Sequence, residues 1–440
     1  METPTSPSTG ASADAVAQPT IPLTSESASN GPSCKLHPQS MCPAFGSLRI
    51  LSRIEGSHPV MATDTGCLYG LTFVTHFYGA RKSILAPTLG TAELLDGKVV
   101  EGTRMAIDAA AKEPGCQLIP VVSLCVAETA GMPEELLPKR VGNSEVVLVR
   151  VPAFAIHSHA EAKDIAMEAL LRRLGDRESP REERTVVIMG EVFPGDQIAI
   201  DSTLRKMGVE STIALPGRSI DDMRRAGRAA ALAPLHPFYK GTGKLFREWN
   251  CGVAGGAPVG ISGSYAWLQA LGSLLNLDPG TVKRVAEEER DRAMAIVERK
   301  TLAGARILVT GYEGTELAYA RALVEGGAEV PYISTSIGID PLVLPDEMWL
   351  RARGTREVVY RKALEEDVGA LDRYKPDFVL GTTPFCAIAK DRGIPAMYFT
   401  NQVASRPFFL SGGLDAILSF IGGALGRGAK YREMYEFFAE

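Results

Sequence analysis

Cysteine is the residue type with the most chemistry to offer in this chain. Seven occur, at positions 34, 42, 67, 116, 125, 251 and 386. The number is odd and too sparse for a disulfide scaffold. In a reducing compartment, such thiols serve metals or catalysis more often than covalent staples. Three have similar neighbourhoods: Cys42 in Ser40-Met-Cys-Pro-Ala-Phe-Gly46, Cys67 in Thr65-Gly-Cys-Leu-Tyr-Gly70, and Cys125 closing the apolar run Val121–Cys125 ahead of Val-Ala-Glu128. Each stands beside Gly or Pro, or where a strand should give way to a loop or helix. Loops at strand ends of open α/β sheets are where ligands bind, and glycine lets a backbone approach a bulky inorganic cluster. Thiolates are soft ligands suited to iron. The competing reading is that a free cysteine is a small buried hydrophobe, and no C-x-x-C pair strengthens the spacing. Cys42, Cys67 and Cys125 together are one ligand short of the four that hold a cubane iron–sulfur cluster. Either a non-cysteine residue completes the set or another chain does, and the deficit points to a cluster at a subunit contact. Cys116 in a polar loop, Cys251 beside a Gly-rich stretch, Cys386 after Thr-Pro-Phe and Cys34 near the start read as unrelated to it.

Other candidates carry less. His157 and His159 could form a metal pair, but they lack Cys or carboxylate partners at ligand spacing. His76 and His236 could donate protons near neutral pH, although a loop or core role fits each better. Gly311-Tyr-Glu-Gly314 follows an apolar run without completing G-x-G-x-x-G and reads as a strand-to-helix turn. Gly260-Ile-Ser-Gly-Ser264 is not a G-x-S-x-G elbow. No G-x-x-x-x-G-K-[ST] phosphate loop exists; Gly241-Thr-Gly-Lys-Leu245 has the wrong spacing. Phe73, Phe77, Tyr78 and Phe154 could line an apolar ligand pocket, with core packing the expected role of each.

These residues must be positioned by an α/β fold. The 440 residues are 45% apolar and 22% charged, with a net charge of −5. That composition suits roughly three ordinary domains and shows no basic surplus for nucleic acid. No apolar run is long enough to span a membrane; the most apolar late stretch, 408–425, is interrupted by Asp415 and several glycines. Residues 1–33 contain seventeen Pro, Ser or Thr and no Lys, Arg or aromatic. Residues 1–35 are therefore expected to be a disordered tail, with neither a signal peptide nor a transit peptide, and the cytoplasm is the expected location. Short apolar runs at 146–151, 185–190, 211–215, 306–310, 329–333, 377–380 and 395–399 alternate with helical patterns at 160–174, 198–207 and 282–300. The last of these is capped by Asp278-Pro279. Leu414, Ile417, Leu418 and Ile421 give one more amphipathic helix. The alternation predicts three Rossmann-like α/β domains with parallel sheets: a cluster-binding domain at 36–178, a second with its connecting helix at 179–302, and a third at 303–440.

At this point the sequence resembles the nitrogenase-like family, which unites the α-type subunits of nitrogenase component 1 and the dark-operative tetrapyrrole reductases. The three cysteines lie 25 and 58 positions apart, in the family's order. Thr91–Gly97, Cys125 with Glu128, and Pro258–Ser264 with Trp267-Leu268 are similar to family motifs, with Ser264 where the pattern has Thr. The strings His37–Arg49, Tyr69–Arg81 and His159–Asp164 resemble the chlorophyllide a reductase branch. The resemblance implies a component 1-like fold and a [4Fe–4S] cluster held by Cys42, Cys67 and Cys125, with its fourth ligand from a partner subunit, Z, in a heterotetramer. It also implies an X-subunit iron protein dimer that carries ATP-Mg and passes on electrons from ferredoxin. The implied reaction is reduction of the C7=C8 bond in ring B of chlorophyllide a, in light-independent bacteriochlorophyll biosynthesis. Subunit N of dark-operative protochlorophyllide reductase and a non-catalytic scaffold for cluster or cofactor assembly remain alternatives.

Overall fold

A computed structural model of the chain describes residues 42–77, 84–87, 89–156, 158–312, 314–360, 363–399 and 405–439. The expected tail, Cys34, Tyr78, His157 and parts of the strings at 37–49 and 69–81 lie outside them. All described residues belong to one compact unit, built on three sheets.

The first sheet contains β1 (Val60–Ala62), β2 (Leu118–Ser123), β3 (Arg140–Val141) and β4 (Ser144–Arg150), in the order β1-β2-β4-β3. The first three of that order run parallel, while β3 folds back on β4 as an antiparallel hairpin. Every residue of β2 is buried, as a strand covered on both faces requires. The second sheet contains β5 (Glu182–Met189), β6 (Ser211–Leu215), β7 (Ala229–Pro234) and β8 (Gly252–Val253), all parallel, in the order β6-β5-β7-β8. The third contains β9 (Arg306–Gly311), β10 (Glu329–Thr335), β11 (Glu357–Tyr360), β12 (Phe378–Gly381) and β13 (Ala396–Tyr398), also parallel, in the order β11-β10-β9-β12-β13. The strand order reverses at β5 in the second sheet and at β9 in the third, which makes the β5/β7 and β9/β12 crevices the topological switch points. The expected α/β fold with parallel sheets is therefore the observed one.

Helices pack between the sheets. The helix Pro279–Arg299 starts as expected, with Asp278 accepting the Thr281 N–H at 2.7 Å. It is less solvated than its charge suggests: Val282, Val285, Ala286, Ala293 and Ile296 are buried, and it packs on the helices Gly260–Leu274 and Leu410–Leu425. Burial of each large aliphatic side chain contributes roughly 1.5–3 kcal/mol. β2 starts three residues before and ends two residues before the expected strand Val121–Cys125. β2 ends at Ser123, Leu124 is extended, and Cys125 opens a helix.

Two buried carboxyl groups fasten the helices. Asp164 accepts the Gly241 and Thr242 N–H groups at 2.6 and 2.9 Å, tying the helix His159–Leu174 to the start of the helix Lys240–Glu248. Asp196 accepts the N–H groups of Phe408 and Phe409 at 2.9 and 3.2 Å. Burial pushes both carboxyl groups up to about 6, against the opposing pull of those N–H donors.

A folded-state value above the ordinary 3.8 means that the folded chain holds the proton more tightly. The stability from this effect is complete below about pH 4 and is lost as pH rises through 6. Denaturant unfolding of Asp164→Asn is expected to show a flatter decline over this window than wild type, by up to about 1.4 kcal/mol per pH unit. Parallel pH profiles for the two proteins would show that Asp164 is not the titrating group.

Candidate metal centre

Each of the three cysteines stands at the start of a helix. Cys42 is the residue before the helix Pro43–Leu51, whose first position is proline. Proline suits that position because its fixed φ is already helical and no N–H is needed. Cys67 is the third residue of the helix Thr65–Phe77. Asp64 caps that start: its Oδ1 accepts the N–H groups of Gly66 and Cys67 at 2.8 and 3.1 Å. Cys125 is the first residue of the helix Cys125–Thr129.

Parallel pairing brings two of these starts together. Ala62 of β1 is in register with Ser123 of β2, and the Leu124 N–H donates to the Ala62 carbonyl at 3.2 Å. Cys67 follows β1 by five residues and Cys125 follows β2 by two, at the same sheet edge. β4 ends there as well. The Ala153 N–H, three residues past its end, donates to the Cys125 Sγ at 3.2 Å. The helix Pro43–Leu51 packs against the helix Thr65–Phe77 and against β2, and the Cys42 sulfur is near enough to add to the upward push on Cys67.

The electrostatics are mixed. Partial burial raises the Cys67 thiol, the Asp64 charge adds to this, and a hydrogen bond with Thr63 opposes it. Burial also pushes Asp64 up, but the N–H donors of Cys67 and Gly66 outweigh it and hold that carboxyl below its usual range. Iron binding would take the thiol proton, because coordination requires the thiolate. N–H groups at helix starts favour that negative charge. Glu128, three positions on from the third cysteine, binds Arg150 at 2.7 and 2.9 Å and the Ser123 hydroxyl at 2.5 Å.

All three thiols are unpaired by disulfides, with Cys67 exposed and Cys42 and Cys125 half-buried. Among the described residues no three of His, Cys, Asp and Glu gather closely enough to hold a single metal ion. A cubane spreads its ligands over the corners of a cube, so it needs thiols set further apart than one ion does. The three thiols at helix starts, with Cys67 exposed, are the residues of this region whose chemistry suits such a group.

The remaining cysteines lie elsewhere. Cys116 precedes β2, at the opposite end of that six-residue strand from Cys125, about 20 Å away by strand geometry. Cys251 and Cys386 are buried and direct their thiols to the carbonyls of Ala229 and Met397 at 3.2 and 3.1 Å. Burial pushes Cys386 up to about 12.

Of the other candidates, His159 is buried with its ring 4.9 Å from that of Tyr312. His236 is buried and stacked on Phe238 at 5.3 Å. Phe154 was expected in the core but is 44% exposed; it lies in the turn just past β4, beside the Cys125 edge. The side chains of Phe73, His76 and Phe77 lie outside the description. A cavity lined by His236, Thr315 and Asp346 among apolar residues has a volume of about 20 Å³. It has room for about one water and none for a tetrapyrrole.

Sequence reasoning missed Asp64, the Ala153 amide and a carboxylate, Glu191, that pairs with Arg49 of the Cys42 helix. Asp64 had a signal, as an Asx residue just ahead of Thr65-Gly66. The other two depend on chain distant in sequence. The Cys42 helix is also held by close approach. A Cβ on Gly46 would overlap the carbonyl oxygen of His159, so this helix and the helix His159–Leu174 cross with backbone against side-chain-free backbone.

The family model for nitrogenase component 1 type oxidoreductases matches residues 42–422. The chlorophyllide reductase 52.5 kDa chain of Cereibacter sphaeroides is 38% identical over 91% of this chain and 82% of its own length. That of Rhodobacter capsulatus is 36% identical over the same shares. Light-independent protochlorophyllide reductase subunit N of Synechococcus is 24% identical over 67% of this chain and 72% of its own. The solved structure of nitrogenase Cp1 at pH 6.5 superposes with a TM-score of 0.77 at 16% identity, covering 92% of this chain and 95% of that one. It establishes the likeness of fold.

Two outcomes are expected. In the iron-free chain a maleimide should label Cys67 at least about 100-fold faster than Cys251 or Cys386, read by peptide mass spectrometry; equal rates would contradict their placement. Gly46→Ala should lower stability by about 1–3 kcal/mol or more, seen as a lower unfolding midpoint, whereas an unchanged midpoint would mean that the helices do not cross there.

Proposed function

The chain belongs to the nitrogenase component 1-type oxidoreductases, and from that premise we propose that it is the Y-type subunit of a chlorophyllide a reductase. Its reaction is the reduction of the C7=C8 bond of ring B of chlorophyllide a, a step toward bacteriochlorophyll. The π bond is lost and two C–H bonds form, which takes two electrons and two protons. The observation that carries this reading is the 38% identity with a chlorophyllide reductase chain over nearly the whole length, in a chain whose Cys42, Cys67 and Cys125 each stand at a helix start.

Cys42, Cys67 and Cys125 would supply three thiolates, and the fourth ligand would come from the partner subunit, Z, within a heterotetramer. A [4Fe–4S] cluster, when bound, supplies one-electron transfer at potentials reaching about −700 mV in this cofactor class. The rest of the task falls to this chain's own residues. Asp64 fixes the start of the Cys67 helix, and the Ala153 N–H steadies the Cys125 sulfur. The buried helix Pro43–Leu51 keeps water from one side, and solvent access is one of the levers on such a centre's potential.

ATP hydrolysis is assigned to a separate X-type iron protein dimer fed by ferredoxin. The pigment is placed outside the one-water cavity, against surface completed by the partner. We assign residues 36–178, 179–302 and 303–440 to three domains, one around each sheet, and the complex to the cytoplasm.

The test is turnover by the anaerobic complex with iron protein, ATP and dithionite. Loss of the chlorophyllide band with growth of a bacteriochlorin band is expected. Reduction of protochlorophyllide alone would favour the N-type reading, and turnover of neither would favour a scaffold. Cys42→Ala, Cys67→Ala and Cys125→Ala should each cut turnover at least about 100-fold, while Cys116→Ala and Cys386→Ala should keep most of it. Equal losses across all five would overturn the assignment of ligands.

A further inference from the structure

The helix that begins with Cys125 is too small to hold itself in place. It has five residues, Cys125–Thr129, and among them only Ala127 is buried. Helices this short are not stable alone in water, and one buried alanine adds little apolar area. Polar contacts must therefore fix much of its position, and Glu128 supplies them. The Glu128 side chain is 15% exposed. Its Oε1 accepts the Ser123 hydroxyl at 2.5 Å and Arg150 Nη1 at 2.7 Å, and its Oε2 lies 2.9 Å from the same Nη1.

The sheet places both partners. Ser123 and Arg150 are the last residues of β2 and β4 and stand opposite each other in register. The Val151 N–H donates to the Ser123 carbonyl at 3.0 Å and closes the ladder there. Arg150 Nη2 also donates to the Met132 carbonyl at 3.3 Å, and the Met132 N–H is bound to the Ala127 carbonyl at 3.1 Å. One guanidinium thus reaches a side chain of the short helix and the backbone just past its end. Three positions on from Arg150, the Ala153 N–H donates to the Cys125 Sγ. The exit of β4 carries both the anchor of the helix and a donor to its sulfur.

We infer that Glu128 is a positioning residue: its carboxylate, bridging Ser123 and Arg150, holds the short helix against the ends of β2 and β4 and thereby sets where the Cys125 sulfur stands. This rests on the reading of Cys125 as a cluster ligand. Hydrogen bonds from a guanidinium to a carboxylate are charge-assisted and roughly twice as strong as neutral ones. Without the carboxylate, Arg150, 39% exposed, turns to water, and the helix keeps a single buried alanine.

The test compares wild type, Glu128→Ala, Arg150→Ala and the double variant, each as the full chain without iron and in the anaerobic complex with its partner subunit. Alanine is the better helix former, so any loosening in Glu128→Ala reflects lost contacts and not lost propensity. In the iron-free chain, maleimide labelling of Cys125 and amide exchange of residues 125–132 are read. Glu128→Ala is expected to raise both rates by about tenfold or more, with labelling of Cys67 and exchange in β5 unchanged. In the complex it should shift or broaden the electron paramagnetic resonance of the reduced centre. Arg150→Ala should act in the same direction, and the double variant should be no looser than the more affected single one, because the two residues act through one contact. Should Glu128→Ala not accumulate, Glu128→Gln, which keeps one acceptor oxygen but not the charge, is read by the same rates. Wild-type rates and resonance in the Glu128 variant, or losses that simply add in the double variant, overturn the inference. A wild-type complex without iron would remove the cluster reading, and the labelling of Cys125 would still decide whether Glu128 places its sulfur.

Discussion

The parallel pairing of β1 with β2 is the constraint on which the rest depends. One register, Ala62 opposite Ser123, fixes which residues leave the sheet together. A slip by one position would turn every side chain of the three-residue β1 to the other face and carry Cys67 away from Cys125. The register is held by burial, since all of β1 and β2 lies inside, and by the Leu124 N–H bound to the Ala62 carbonyl. Two cysteines distant in sequence follow neighbouring strands out of the same sheet edge. The third is delivered by packing, through a helix whose glycine presses on another helix.

This division of labour explains the asymmetry of the site. Cys67 and Cys125 are tied to strand ends and to local donors, Asp64 capping one start and the Ala153 N–H reaching the other sulfur. Cys42 has no such strand. Its position is inherited from a helix that crosses at Gly46 and whose Arg49 pairs with Glu191. Closure of the set by an outside ligand is consistent with the exposure of Cys67.

Much of the scaffold was legible in the sequence, for identifiable reasons. β5 and β9 carry continuous apolar runs, Val-Val-Ile-Met and Ile-Leu-Val, as doubly covered strands do, and Asp278-Pro279 announced its helix. β7 was not legible. Its sequence, Ala-Ala-Ala-Leu-Ala-Pro, favours helix, and only its place between β5 and β8 makes it a strand. Cys125 was read as closing a strand because apolar runs do not show where a buried strand gives way to a helix. The likeness of the three cysteine neighbourhoods was visible, since Gly, Pro and Asp mark helix starts. Glu191 was not, because its partners Arg49 and Lys163 lie 142 and 28 positions away and no local pattern links them. Phe154 was misplaced because an aromatic beside an apolar strand normally packs inward.

The most direct measurement is the iron content and Mössbauer spectrum of the iron-57-enriched complex, purified without oxygen, set beside a chain in which Cys42, Cys67 and Cys125 are all serine. The account requires about four irons per wild-type chain in the environment of a sulfur-ligated cubane, and their loss from the triple variant. An iron-free wild-type complex, or a triple variant that keeps the same spectrum, would contradict it.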